Sequence, residues 1–496
     1  MRLTATDTAR IDKPLAFNND GHHQYTFTAQ TPNLPRTLEL TLNPMNKTTM
    51  THTRALTAMR LPTSQSLLLL MAMTLPMSVF GQTLDLQLEV KAHYRDSEQA
   101  KFPTRFPFSA AELPIGETSA FVETVDEGSH AEVSLVSLAG KWQPAASWQL
   151  QFKIDAVDLY DRNPTSGDRK LDVDTLFLRY GDAFGATQIP SQNSVYAQLG
   201  KFKKFEQQRE RRTESYGVVS TAFNRFEDSG IETGFDLPSG LYGRLSYTTG
   251  NPVFMRDSNA LAGDNGTENF RIPPNLNPNP RLKSGIVMLY DAEIEGFDLS
   301  SDPEIGVGLG YRFNSADQNQ KLDIMAYHYQ RDLSDTRKLN GTFYGGDLDL
   351  LDLSEIPGAA GIRLPFAGNE KTETGLNAWY YAGDFALFSQ YVKQEVASLD
   401  RDGFEIELSY AFDAPMTITP VIRYSELGNN FEGHPAFPAP SLTWDWRRID
   451  YAINVDITDN FRLIVEYADN EVERAGRWEN HNEWLLTLRW QASYKR

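Results

Sequence analysis

Thr83–Arg95 reads TLDLQLEVKAHYR, alternating apolar and polar residues at almost every step. Leu84, Leu86, Leu88, Val90, Ala92 and Tyr94 share one face, and Asp85, Gln87, Glu89, Lys91, His93 and Arg95 share the other. Successive side chains of a β-strand point to opposite faces, so this stretch is a strand with one oily and one wet surface. The far end of the chain, His481–Tyr494 (HNEWLLTLRWQASY), reads the same way. There Trp484, Leu486, Leu488, Trp490, Ala492 and Tyr494 oppose Glu483, Thr487, Arg489 and Gln491.

Between these ends the pattern recurs over 129–142, 147–160, 171–181, 194–202, 228–237, 240–249, 283–295, 304–313 and 320–331. A weak segment near 340–351 follows, then 371–383, 384–395, 402–413, 415–426, 446–457 and 460–472. Tight connections occur at Pro238-Ser239-Gly240, Gly383-Asp384, Ala414-Pro415 and Thr458-Asp459-Asn460. Long ones rich in Pro, Gly and Asn cover 96–128, 250–282, 352–370 and 427–445. Short turns on one side and long loops on the other suit an all-β, transmembrane, antiparallel up-and-down barrel in a bacterial outer membrane. Chain ends on one side require an even strand number. The segments give about 18, with 16 as the alternative if 340–351 and one other drop out. A soluble sandwich would also alternate, but it does not need so many strands in unbroken up-and-down order.

The alternation assigns faces. Phe404, Ile406, Leu408, Tyr410 and Phe412 should meet lipid, and Glu405, Glu407 and Ser409 the lumen. Ile449, Tyr451, Ile453, Val455 and Ile457 oppose Arg448, Asp450, Asn454 and Asp456. Aromatics gather at strand ends (Trp142, Trp148, Tyr160, Tyr180, Trp484, Tyr494), where amphipathic rings favour the membrane boundary.

Ahead of the first strand, Leu67–Ala72 and Leu75–Met77 form a short apolar run behind Arg54 and Arg60, ending at Val79-Phe80-Gly81. This reads as a secretion signal over 45–81, cleaved before Gln82, with 1–44 a mis-called extension and 82–496 the barrel. The run is shorter than the roughly 20 apolar residues a spanning helix needs. Without 1–81 the chain carries 40 basic against 62 acidic residues, a net −22. That sign argues against nucleic acid. Acidic loops of such barrels commonly hold divalent cations against lipopolysaccharide phosphates, and solvated surface is their plainer use. The absence of cysteine excludes disulfides, zinc–thiolate sites and thiol nucleophiles.

The sharpest candidate site is Lys201-Phe-Lys-Lys-Phe-Glu-Gln-Gln-Arg-Glu-Arg-Arg212, continuing to Arg225. It holds six basic residues against two acidic ones in an acidic protein and opens the third external loop. Folded inward, Lys201, Lys203, Lys204, Arg209, Arg211, Arg212 and Arg225 would form a pore constriction that concentrates anions. The same residues on the cell surface would be an ordinary charged loop, and both readings stand at this point. Gly306, Gly308 and Gly310 share the lumen face of 304–313, leaving a lane without side chains that an inserted loop could approach. Arg244, Arg312, Arg423, Arg448, Arg462 and Arg489 are expected on the lumen wall beside Glu405, Glu407, Asp450, Asp456, Glu466 and Glu483. Opposing charges on the walls set up a transverse field, and many of them should pair.

Other motifs carry less. Asp257-Ser-Asn259 with Glu268 mimics a calcium loop, but Leu261 and Ala262 replace a ligand and the turn glycine. Asp347, Asp349, Asp352 and Glu355 suit solvated surface better than a metal. No cofactor is expected. His93, His130, His328, His434 and His481 leave a hydrolase formally open, although there is no Gly-x-Ser-x-Gly elbow.

The order of leader, N-terminal strand, long first loop and Leu199-Gly-Lys-Phe-Lys203 resembles bacterial outer-membrane porins, the phosphate-selective group above all. The alginate-export barrels are similar in size and in pairing a basic constriction with anionic cargo. The chain departs from the first group where Lys204-Phe205-Glu206 replaces Pro-Phe-Gly, and from the usual aromatic terminus by ending Tyr494-Lys495-Arg496. The resemblance implies passive diffusion of small anionic or polyhydroxylated solutes, outer-membrane lipid and lipopolysaccharide as neighbours, and association as a homotrimer. A barrel carrying an acidic polysaccharide and an outer-membrane hydrolase are the alternatives.

Overall fold

The computed structural model describes residues 83–98, 100–104, 120–125, 128–157, 171–206, 211–223, 227–250, 253–255, 287–290, 303–332, 339–341, 346–348, 370–396, 399–412, 415–429, 445–474 and 477–496. The expected extension, secretion signal and calcium-like loop lie outside these residues, as do Arg209, Arg225 and His434.

Sixteen antiparallel strands close into a ring. In chain order they are β1 (Thr83–Ser97), β2 (Gly128–Ala145), β3 (Trp148–Val157), β4 (Asp172–Gly181), β5 (Ser194–Lys203) and β6 (Glu227–Asp236). Next come β7 (Leu241–Thr248), β8 (Glu304–Asn314), β9 (Gln320–Asp332), β10 (Glu370–Ala382) and β11 (Phe385–Val396). The last five are β12 (Leu399–Tyr410), β13 (Thr417–Asn429), β14 (Trp446–Thr458), β15 (Phe461–Arg474) and β16 (Glu483–Lys495). Each strand pairs with its sequence neighbours, and β1 closes the ring on β16 from Asp85↔Lys495 to Ser97↔Glu483. Closure satisfies every strand edge, the condition for standing in hydrocarbon.

Two of the eighteen strand segments expected from the sequence stand outside the ring. Val287–Tyr290 and Leu339–Gly341 pair with each other in a separate sheet with Val253–Met255 and Gly346–Leu348. Each is only three or four residues long, far short of the 9–11 residues or so that span a bilayer.

The two faces part as alternation requires. Along β8, Ile305, Val307, Leu309, Tyr311 and Phe313 are exposed, while Glu304, Gly306, Gly310 and Arg312 are buried inside. On β12, Glu405 and Glu407 are sealed inside, while Tyr410 is exposed. An exterior carrying Val195, Leu199, Leu245 and Leu309, each about half exposed or more, is unsuited to water and suited to lipid. Aromatics ring both ends of this belt. Trp148 meets Tyr180 edge-on with centroids 5.1 Å apart, Tyr410 lies against Phe412, and Tyr94 and Trp484 sit at the opposite rim.

Candidate functional site

The segment after β5 folds into the lumen. It is described over 204–206 and 211–223, ends in a short helical turn α1 (Val218–Ala222), and fastens to the wall at two places.

The first anchor is Lys204-Phe205-Glu206. Lys204 is buried, pairs with Glu304 at the head of β8 and lies 4.4 Å from the Tyr329 ring centroid. Glu304 also accepts from Lys371 Nζ at 2.7 Å, so one carboxylate bridges the loop and β10. Burial opposes the Lys204 charge, but Glu304 and Asp228 outweigh it and hold the ammonium above its ordinary range. Phe205 stacks on Tyr329 with centroids 5.1 Å apart and covers Gly308. The Tyr329 hydroxyl donates to Glu206 Oε2 at 2.5 Å, and Asn377 Nδ2 donates to the Glu206 carbonyl. Side-chain-free Gly308 leaves room for this packing.

The second anchor runs from Arg211 to Gly217. Arg212 donates to Ser409 Oγ at 2.6 Å on β12, and its carbonyl accepts from Asn454 Nδ2 at 2.8 Å on β14. Glu214 accepts from Lys91 Nζ at 2.8 Å on β1 and from Arg211 at 3.2 Å. Burial alone would raise the Glu214 carboxyl, but Lys91 and Arg211 outweigh it and hold it well below the usual carboxylate range. The Glu214 amide donates to Glu466 Oε2 at 2.7 Å on β15. The Ser215 hydroxyl sits among Glu466, Asp450 and Arg423, whose Nη2 reaches it at 2.6 Å. Beyond, α1 lies against β12, β13 and β14, and Phe223 covers Gly403.

The loop therefore follows the inner wall from β8 to β10 and then from β12 through β15 to β1. None of these contacts is to β2, β3 or β4. Among the inward charges, Lys153, Arg211, Arg462 and Asp456 keep about a third of their side chains exposed, and Lys153 pairs with the more deeply buried Asp155 and Asp174.

The predicted basic cluster is divided by strand alternation. Lys204, Arg211 and Arg212 enter the lumen. Lys201 and Lys203 are corrected to the outward face of β5, the face of Val195 and Leu199, where they reach Asp172 at 3.6 Å and Glu227 at 3.8 Å. The wall arginines all face inward, and five pair with acids. Arg244 and Arg312 share Asp236, at 2.9 and 2.6 Å, and Arg312 also holds Asp323. Arg423 and Arg448 share Asp450, and Arg462 grips Asp456 with two nitrogens. Arg489 stands in register between Lys91 and Arg462 and makes no ion pair among the described residues. Lys91, Glu214, Glu304 and Glu466 form the anchors, yet no local motif marks them.

His93 gathers both a hydroxyl and an acid, but through one nitrogen. Its Nε2 lies 3.3 Å from Ser134 Oγ and 3.4 Å from Glu214 Oε1. His328 faces outward against Thr374, and His481 lies 3.8 Å from Glu479.

No family model matches the chain, and no curated protein matches its sequence. Solved outer-membrane structures do match. The channel DcaP of Acinetobacter baumannii aligns at 9% identity and a TM-score of 0.45, covering 84% of this chain and 99% of that one. OprB of Pseudomonas putida, at high pH, aligns at 10% and 0.47, covering 83% and 94%. Salmonella typhi OmpF, in complex with daunomycin, aligns at 11% and 0.45, covering 82% and 97%. The chain is an outer-membrane β-barrel, as its closed ring and apolar exterior require.

Proposed function

We propose that the protein is a passive outer-membrane channel, passing small anionic or polyhydroxylated solutes between the inserted loop and the β2–β4 wall. The observation that carries this reading is the loop's double anchorage, Lys204 to Glu304 on one side and Glu214 to Lys91 on the other. A loop tied at both ends is a fixed constriction, and charge focused in a constriction selects ions. The lean toward anions rests on Lys91, Arg489 and Arg462, three cations in register on adjacent strands, of which Arg489 has no acidic partner among the described residues. Like charges in register repel, so an anion beside them relieves a standing cost.

The paired charges on the remaining walls do not favour a uniformly basic polysaccharide conduit. The likeness to phosphate-selective porins rests on Leu199–Lys203, whose two lysines face away from the lumen. A hydrolytic relay needs the two nitrogens of one histidine to serve different partners, and His93 uses Nε2 for both. Association of three barrels belongs to the same proposal. Planar-bilayer reversal potentials in asymmetric salt test the channel reading, which a protein that inserts without conducting would overturn.

A further inference from the structure

Six of the seven connections at the tight-turn end of the ring contain two to six residues, but the one between β4 and β5 contains twelve, residues 182–193. A hairpin there needs no such length. The segment does not hang below the barrel. Arg312 Nη2 donates to the Phe184 carbonyl at 3.1 Å, and Asn314 Nδ2 donates to the Thr187 carbonyl at 3.2 Å. Arg312 Nη1 also points at the Gln188 carbonyl, 3.4 Å away. Both donors stand on β8 and on its inward face, opposite Tyr311 and Phe313. To meet them the segment passes the ends of β6 and β7, three strand spacings or about 14 Å from β5.

Arg312 is a rigid post for this contact. It is buried, lies 3.8 Å from the Tyr242 ring centroid, and is held by Asp236 at 2.6 Å and Asp323 at 3.0 Å. The segment is also closed on itself, since the Gln188 amide donates to the Gly185 carbonyl and Gln188 Oε1 accepts from the Gly185 amide, each at 3.1 Å. Ser194 Oγ donates to the Asp182 carbonyl at 3.0 Å.

We infer that residues 182–193 form a strap across the tight-turn mouth, the periplasmic one in outer-membrane barrels, and so a second constriction in series with the inserted loop. The inference rests on the channel reading. The two constrictions differ in kind. At the strap the guanidinium charges of Arg244 and Arg312 are matched by Asp236 and Asp323. Four of its five most exposed side chains, Gln188, Ser191, Gln192 and Asn193, are neutral hydrogen-bonding groups, the fifth being Asp182. The strap therefore sorts by size and hydrogen bonding, which favours slender polyhydroxylated solutes, while the loop sorts by charge.

Unitary conductance and reversal potential of the full barrel test this, comparing the parent with a variant lacking residues 183–192. Loss of the strap should raise conductance on the order of 1.5-fold or more without moving the reversal potential. Because the chain has no cysteine, Gln188→Cys gives a second reading that leaves β4 and β5 joined as they are. A bulky thiol reagent added from the periplasmic side should then lower conductance. A conducting parent whose conductance is unaffected by either change overturns the strap and leaves the channel reading intact. A parent that does not conduct overturns both.

Discussion

Phe205 occupies the space that a side chain on Gly308 would fill: a Cβ built at Gly308 would stand 2.7 Å from Phe205 Cε2. Loop and wall are thus fitted to each other at a residue with no side chain to move aside. Gly308→Val should push Phe205 off Tyr329 and loosen the first anchor, at a cost of about 1–3 kcal/mol. Thermal unfolding in detergent should show the loss. Single-channel records should show noisier currents, because the first anchor would rest on the Lys204–Glu304 pair and the Asn377 hydrogen bond without the ring contact.

Glu214 should keep the second anchor closed far into acid. Its carboxyl is held below the ordinary range, so the stability it adds is present above the unfolded carboxylate pKa. That stability is lost only as pH falls through the lower folded value. Conductance should accordingly stay steady from pH 7 to about pH 4, spanning the ordinary carboxylate range. Glu214→Gln removes the charge that Lys91 and Arg211 share and should give an unsteady pore at every pH in that range. A parent pore that opens near the ordinary glutamate pKa would contradict the assignment.

Charge selection should follow the inward cations and ignore the outward ones. Arg489→Gln together with Arg462→Gln should shift the reversal potential toward cations. Lys201→Gln with Lys203→Gln should leave it unchanged, because those side chains stand outside the wall beside Asp172 and Glu227. Equal shifts from the two pairs would place the selective field elsewhere.

The sequence carried the barrel and part of the site, and particular residues show where it stopped. A period of two fixes which side chains face lipid, so Leu309 outward and Arg312 inward were both legible. So was the outward set of Lys201 and Lys203, since Leu199 shares their parity. Strand number was less legible, because the stretches holding Val287–Tyr290 and Leu339–Gly341 read as strands but pair with each other outside the ring. The anchors left no local trace. Lys91 and Glu214 are 123 positions apart, and Lys204 and Glu304 are 100 apart. Such pairs are made by ring closure and loop insertion, which no periodicity encodes. The strap likewise contains no pattern; only its length against neighbouring turns reveals it.

Leu309 tests the lipid face directly. It is about half exposed in the middle of β8, between inward Gly308 and Gly310, with Val307 and Tyr311 beside it on the outer surface. If that surface meets hydrocarbon, Leu309→Arg must carry a guanidinium into the bilayer, at a cost of about 2–4 kcal/mol near the midplane. Denaturant unfolding from liposomes should show that loss in full. Lys203→Arg, at the external end of β5, should show almost none, because a cation there already lies at the water boundary. A Leu309→Arg protein as stable as its parent in liposomes would mean that this surface packs against protein or water.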